Sequence, residues 1–347
     1  MAAGGRKFFV NAYINIRVIR ETHGCHLPIE LFYLGQEEMS PVAVAYMEKT
    51  FANLRLIDVY SVADMPTLNR PNLKGYPVKA FAVLLSSFKE VLFLDSDSFP
   101  IENPEVAFHF PQYVKSGALF WPDLCNYFTI RPKAYDVFDL PRPSGMLVLR
   151  DDEQYRWTDE CDVAEPQEWE TGEIVVDKER AWKALLMNAF MCWHNEFFMK
   201  NVVHDDKGTF KIAFEGTQTP HEVVSKTIYF QGIATTQTED GRQFFCGSGI
   251  SQPHPITGKP LFIHRSQTKF MAWPAQDYLI YTPIPRAWTH IGQQHQKKAW
   301  IVGWRGREGV PDLIWLPSFE GHAVCFYPED RDHAVIEPAA DNVCISL

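Results

Sequence analysis

Apolar and polar positions along the chain switch repeatedly between the strand period and the helix period. Phe8-Phe9-Val10-Asn11-Ala12-Tyr13 is short, aromatic and β-branched, and predicts a first strand. Ile14 to Glu21 then reads as a helix with Ile14, Val18 and Ile19 turned inward. Leu27 to Tyr33 alternates and is bounded by Gly35, which predicts a second strand. Ser40-Pro41 supplies an N-cap and a proline at the first helical position, opening a helix to about Thr50. Leu54 to Tyr60 predicts a third strand, and Pro77 opens a helix whose Phe81, Leu84, Leu85 and Phe88 follow the i, i+3, i+4, i+7 rule. Asn103-Pro104 caps a short helix, and Ala118 to Trp121 is a further strand closed by Pro122-Asp123. A helix is expected from Asp177 to Lys200, with Trp182, Leu185, Leu186, Ala189, Trp193 and Phe197 as its core face. Gly247-Ser248-Gly249 lacks the remaining glycine of a dinucleotide fingerprint and reads as a turn. This alternation predicts an α/β fold: a Rossmann-like sheet with helices on both faces.

The stretch that carries chemistry is Val91-Leu92-Phe93-Leu94-Asp95-Ser96-Asp97-Ser98-Phe99-Pro100. An apolar run too short for a helix predicts a buried strand, with Pro100 ending its ladder. Two carboxylates one residue apart then fall at the carboxyl edge of an open sheet, where such folds bind ligands. Packed so closely in a dry cleft they call for a cation, and oxygen ligation suits Mn²⁺ or Mg²⁺ carrying a diphosphate. Lys79, in the first turn of the preceding helix, is placed to reach a phosphate or sugar over that strand. Leu261-Phe262-Ile263-His264 repeats the pattern of a strand stopping at a metal-capable residue. His264 could complete the metal shell while Lys269, five positions on, neutralises the diphosphate.

Composition narrows the picture. The 347 residues are 46% hydrophobic and 22% charged, which describes a globular chain. A net charge of −10 excludes the basic field of a nucleic-acid binder. No apolar run approaches the roughly 18 residues of a membrane span, and no signal-like h-region follows the N-terminal residues, so the chain as given reads as soluble. Seven scattered cysteines without a C-x-x-C pair, and no Asn-x-Ser/Thr sequon, lean toward a reducing compartment. Asp151 to Glu173 carries ten carboxylates and reads as a solvated surface insertion that ends at Trp169-Glu170-Thr171-Gly172-Glu173. Residues 1–275 are read as the catalytic domain and 276–347, rich in Pro, Trp and Gly, as a C-terminal cap packed on it.

The run from Lys79 to Asp97 resembles the donor-site core of the fungal α-1,3-mannosyltransferase family, glycosyltransferase family 71. The resemblance continues through Gly117 to Asp123, Glu170 to Glu173 with Asp177-Lys178, and Asp206-Lys207-Gly208-Thr209-Phe210; Gly24 to Glu30 is similar as well. It implies a GT-A fold, a nucleotide-sugar donor such as GDP-mannose, Mn²⁺ and retention of anomeric configuration. It puts Asp95 and Asp97 on the metal and donor, with His264 as the third protein ligand. Glu170, Glu173 and Asp206 are the candidate catalytic carboxylates around the transferred sugar. The base pocket is expected near Val10 to Tyr13. The acceptor is a glycan or a small molecule. The family points to the Golgi lumen, whereas a chain without anchor, signal or sequon could equally act in the cytoplasm.

Three other readings stand beside this one. A UDP-sugar donor (glucose or N-acetylglucosamine) would keep the fold and the metal. A haloacid-dehalogenase-type phosphatase would use the first Asp as nucleophile, but the residues after it are Ser98-Phe99-Pro100 and the pair comes after several βα units. A Ca²⁺-dependent sugar-binding module would need no lysines at the donor site.

Overall fold

The computed structural model describes residues 1–3, 5–62, 71–123, 130–141, 169–203, 205–225, 228–236, 243–265, 300–304, 324–326 and 334–338. Where a first strand was expected the chain forms helix α1 (Gly5–Arg17), continued by a wider turn to Thr22. Aromatic composition favoured a strand, but Ala12, Ile16 and Ile19 recur at helical spacing and are buried together with Asn11 and Asn15. Strand β1 (Ile29–Tyr33) follows, then α2 (Gly35–Glu38) and α3 (Pro41–Thr50), where the Ser40 side chain accepts from the Ala43 N–H as predicted. Strand β2 (Leu54–Asp58) ends two residues early, because α4 (Val59–Val62) takes over.

Helix α5 (Val78–Leu85) leads into β3 (Glu90–Leu94), the expected apolar strand before the two carboxylates. The β3 ladder stops at Leu94, ahead of Pro100, which instead ends the next strand. After a tight turn at Asp95–Asp97 the chain re-enters a strand, β4 (Ser98–Pro100), in a different sheet. A 3₁₀ turn at Pro104–His109, capped by Asn103, precedes α6 (Pro111–Ser116), which ends on left-handed Gly117 with φ 82°. Strand β5 (Ala118–Pro122) and helix α7 (Pro132–Val137) follow.

Strand β6 (Trp169–Asp177) overturns the surface reading of its first half: all nine residues are buried. The expected helix to Lys200 is two helices, α8 (Trp182–Trp193) and α9 (Asn195–Asn201), broken at His194. Its predicted core face is only partly inside. Leu185 and Ala189 are buried, while Trp182, Leu186 and Phe197 are about half exposed at 49%, 45% and 59%. Helix α10 (Asp206–Gly216) and strands β7 (Glu222–Val223), β8 (Tyr229–Thr236), β9 (Gln243–Pro253) and β10 (Pro260–His264) complete the central region. The glycines expected to form a turn at 247–249 lie inside β9. Beyond them come β11 (Trp300–Trp304), β12 (Val324–Phe326) and β13 (Ala334–Pro338).

The described strands form three sheets, the first two linked through Ala2. β1 pairs parallel to β2, and β3-β6-β5-β7 form a mixed ladder in which β6 runs antiparallel to β3 and β5. Ala2 bridges both Phe32 of β1 and Asp95 at the end of β3, in parallel to each. The sheet beside the carboxylates is therefore mixed, not purely parallel. The third sheet runs β13-β11-β8-β9-β10-β4, with β12 on β9. Of the described C-terminal strands, β11 pairs with β8 and β12 with β9, while β13 pairs with β11.

β5 and β6 are buried on both faces, and their alternation divides the core. Phe120, Ile174 and Val176 face Phe81, Leu185, Phe210 and Phe214 of α5, α8 and α10. Leu119, Trp121 and Val175 face Phe262 of the third sheet. The Trp121 ring stands edge-on to Phe262 with centroids 5.3 Å apart, and its indole N–H donates to the Pro253 carbonyl at 2.8 Å. Two sheets locked this firmly fix the turn that runs between them. None of the described helices is long and apolar enough to cross a membrane.

Candidate active site

The Asp95–Asp97 turn leaves one sheet at β3 and enters the other at β4, so its geometry is set from both sides. The Asp95 N–H donates to the Gly172 carbonyl of β6 at 2.7 Å, and the Arg265 N–H donates to the Asp97 carbonyl at 2.9 Å. Antiparallel pairing of β4 with β10 sets His264 opposite Ser98. The result is a cluster in which one ligand atom each from Asp95, Asp97 and His264 lies within 4.8 Å of the others. His264 Nε2 is 3.9 Å from Asp95 Oδ2 and 3.8 Å from Asp97 Oδ1. Two carboxylate oxygens and an imidazole nitrogen at that spacing fit a six-coordinate Mn²⁺ or Mg²⁺. The other ring nitrogen, Nδ1, is buried, makes no hydrogen bond among the described residues and sits 3.7 Å from Glu170 Oε1.

Gly172 makes this approach possible. A Cβ at that position would stand 2.8 Å from His264 Nδ1 and 3.3 Å from Glu170 Oε1. A side chain there would push the imidazole off the two aspartates.

A buried chain of alternating charges adjoins the cluster. Lys79 Nζ lies 2.7 Å from Asp95 Oδ2 and 3.1 Å from Asp206 Oδ2. Thr171 Oγ1 donates to the same Asp206 oxygen at 2.6 Å. Burial alone would lower the Lys79 ammonium, but Asp206, Asp95 and Glu170 outweigh it and hold the group well above its ordinary value. On the far side Lys207 Nζ sits 2.5 Å from Asp123 and 3.0 Å from Glu170 Oε2. Glu170 Oε1 accepts from the Thr171 and Gly172 N–H groups at 3.0 and 2.9 Å. Burial opposes ionisation of Glu170, yet Lys207, His264 and Lys79 together hold its carboxyl well below the usual range. Glu173 behaves in the opposite way. It is fully buried, accepts from Ser98 Oγ, and desolvation pushes its carboxyl up to about 7. Asp205 caps α10 by accepting from the Lys207 and Gly208 N–H groups, and burial followed by Asp206 pushes it up to about 7 as well.

Seven of the residues singled out in the sequence thus meet in one connected site: Lys79, Asp95, Asp97, Glu170, Glu173, Asp206 and His264. Val10 and Tyr13 both lie on α1, and the Tyr13 ring packs on Tyr46 and Phe51 with centroids 6.3 and 5.2 Å away. Lys269 lies outside the described residues. Sequence reasoning missed Asn15, Ser98 and the hydroxyl of Thr171. Of these only Thr171 carried a signal, as the polar residue between two candidate carboxylates.

The chain belongs to the Mannosyl_trans3 mannosyltransferase family, whose model matches residues 1–254. The α-1,2-mannosyltransferase MNN2 of Candida albicans is 29% identical over 315 residues, covering 80% of this chain and 51% of that protein. MNN5 of Saccharomyces cerevisiae, also an α-1,2-mannosyltransferase, is 25% identical over 265 residues, covering 66% of this chain and 45% of its own length. The mannosyltransferase resemblance therefore holds, while these relatives bear the α-1,2 name in place of the expected α-1,3. The chain spans about half the length of both relatives. Partial overlap with solved structures extends to the galactosyltransferase LgtC in complex with donor and acceptor sugar analogs. There the TM-score is 0.39 at 12% identity, over 62% of this chain and 70% of that one. Mouse xyloside xylosyltransferase 1 gives 0.38 at 11% identity, over 64% and 83%.

Proposed function

We propose that the protein is a metal-dependent, retaining GT-A glycosyltransferase that moves mannose in α-linkage from GDP-mannose to a glycan or other hydroxyl acceptor. The observation that carries this reading is the Asp95–Asp97–His264 cluster at the end of β3, with Lys79 and Asp206 against it. The names of the relatives favour a 1,2 linkage.

Asp95, Asp97 and His264 would hold Mn²⁺ or Mg²⁺. When bound, the ion supplies Lewis acidity toward the leaving nucleoside diphosphate. Lys79, a buried cation between Asp95 and Asp206, places positive charge where the diphosphate's charge grows. Lys269, outside the described residues, is assigned the same task.

Three carboxylates could act at the transferred sugar, and their surroundings divide the work. Glu170 is ionised and tied to Lys207, which suits it to orient a substrate hydroxyl. Glu173, raised to about 7, spends much of its time protonated near neutral pH and is a poor nucleophile there. Asp206 holds one oxygen against Lys79 and Thr171, which leaves it the best oriented of the three for an oxocarbenium-like centre. Retention then follows either from attack on the leaving-group face or from double displacement through Asp206.

The test is mannose transfer from GDP-mannose, followed with Mn²⁺ present. Asp97→Ala should lower turnover by about 10²-fold or more. A near-normal rate in that variant would sink the metal assignment.

A further inference from the structure

We propose that Asn15, on α1, is a positioning residue that presets the Asp95–Asp97 turn for the cation, an inference that rests on the metal reading above. The Asn15 Nδ2 amide donates one N–H to the Ser98 carbonyl at 2.6 Å and shares the other between the Ser96 and Asp95 carbonyls at 3.3 and 3.4 Å. The fourth carbonyl, that of Asp97, accepts from the Arg265 N–H at 2.9 Å. The Asp95 carbonyl also accepts from the Ser98 N–H at 3.0 Å, so each carbonyl of the turn has a donor, and those of Ser96 and Ser98 take theirs from Asn15.

The consequence is directional. Carbonyls gathered on the α1 side leave the two carboxylates to project toward His264 on β10. Loss of the amide would free the Ser96 and Ser98 oxygens to rotate, and with them the separation of the ligand atoms. Water cannot take over the role, because Asn15, Ser96 and Ser98 are 0%, 2% and 0% exposed. A buried asparagine inside a helix is a poor helix former and a poor core residue. Its presence on the buried face of α1 is accounted for by the turn it holds.

The role predicts a change in cation affinity that is separate from folding stability. Isothermal titration of Mn²⁺ into the full chain, well below each melting temperature, gives the dissociation constant directly. Asn15→Leu, of similar size but without donors, should weaken Mn²⁺ binding at least tenfold. Met47→Ala, which opens a cavity in the cluster on another face of α1, should lower the melting temperature while leaving the Mn²⁺ constant within twofold. If Asn15→Leu does not fold, Asn15→Ser, which fits the same space with one short donor, should still bind several-fold more weakly than the wild type. Affinity within twofold of wild type in the folded Asn15 variant overturns the positioning role while leaving the metal reading intact. A wild-type chain that takes up neither Mn²⁺ nor Mg²⁺ overturns both.

Discussion

Lys79 shows how one side chain can hold a charged site together. Its ammonium is buried between Asp95, which is partly exposed, and Asp206, which has been drawn out of water to meet it. Removing one partner of a buried pair leaves the other charge uncompensated, at a cost of about 3 kcal/mol or more. Lys79→Met should therefore unfold at markedly lower urea and lose diphosphate binding together with stability. A variant as stable as the wild type would show that the pair is solvated. Glu173 gives a pH signature. Its folded value of about 7 lies above the ordinary 4.5 of a glutamate, so the native protein binds this proton more tightly than the unfolded chain does. The associated stability is present in full below about 4.5 and is lost as pH rises through 7, on the order of 3 kcal/mol in total. For the metal-free protein, Glu173→Gln should remove that fall, so that the variant overtakes the wild type above pH 7. Parallel stability curves across pH 5 to 8 would contradict it.

At the scale of elements, what was legible in the sequence follows the strength of each local signal. Ser40-Pro41 marks a helix start by capping chemistry alone, and α3 begins there. β3 and β10 were readable because each is a brief apolar run ending in a chemical residue. The pairing of β10 with β4 was not readable, since it depends on a chain reversal across two sheets. The start of α1 was misread because Phe8, Phe9, Val10 and Tyr13 are aromatic or β-branched and favour a strand, while the buried Ala12, Ile16 and Ile19 follow helical spacing. The stripe on α8 misled in another way. Its period is helical, but a helix packed against α5 and α10 on one side turns Leu185 inward and leaves Leu186 45% exposed. Leu185→Ala should thus cost about 2–5 kcal/mol in urea denaturation. Leu186→Ser should change stability by no more than about 0.5 kcal/mol. Equal costs would mean that the exposed face of α8 is covered by another part of the protein.

Taken whole, the molecule places its chemistry at the seam of two sheets. One supplies β3 and β6, with Asp95, Glu170 and Glu173; the other supplies β4 and β10, with Ser98 and His264. α5 and α10 reach in from the helical layer with Lys79, Asp206 and Lys207. An acidic chain, net −10, can attract a diphosphate only by concentrating cations in this one place, which is why the account needs both the metal and the buried lysines. Metal-dependent recognition of a mannose donor is the central claim, and isothermal titration of GDP-mannose with and without Mn²⁺ tests it most directly. Binding that requires Mn²⁺, that is shared by GDP but not by UDP-sugars, and that disappears in Asp95→Asn is the predicted result. Binding of UDP-sugars in place of GDP-mannose would replace the donor. No Mn²⁺-dependent binding of any nucleotide would contradict the account.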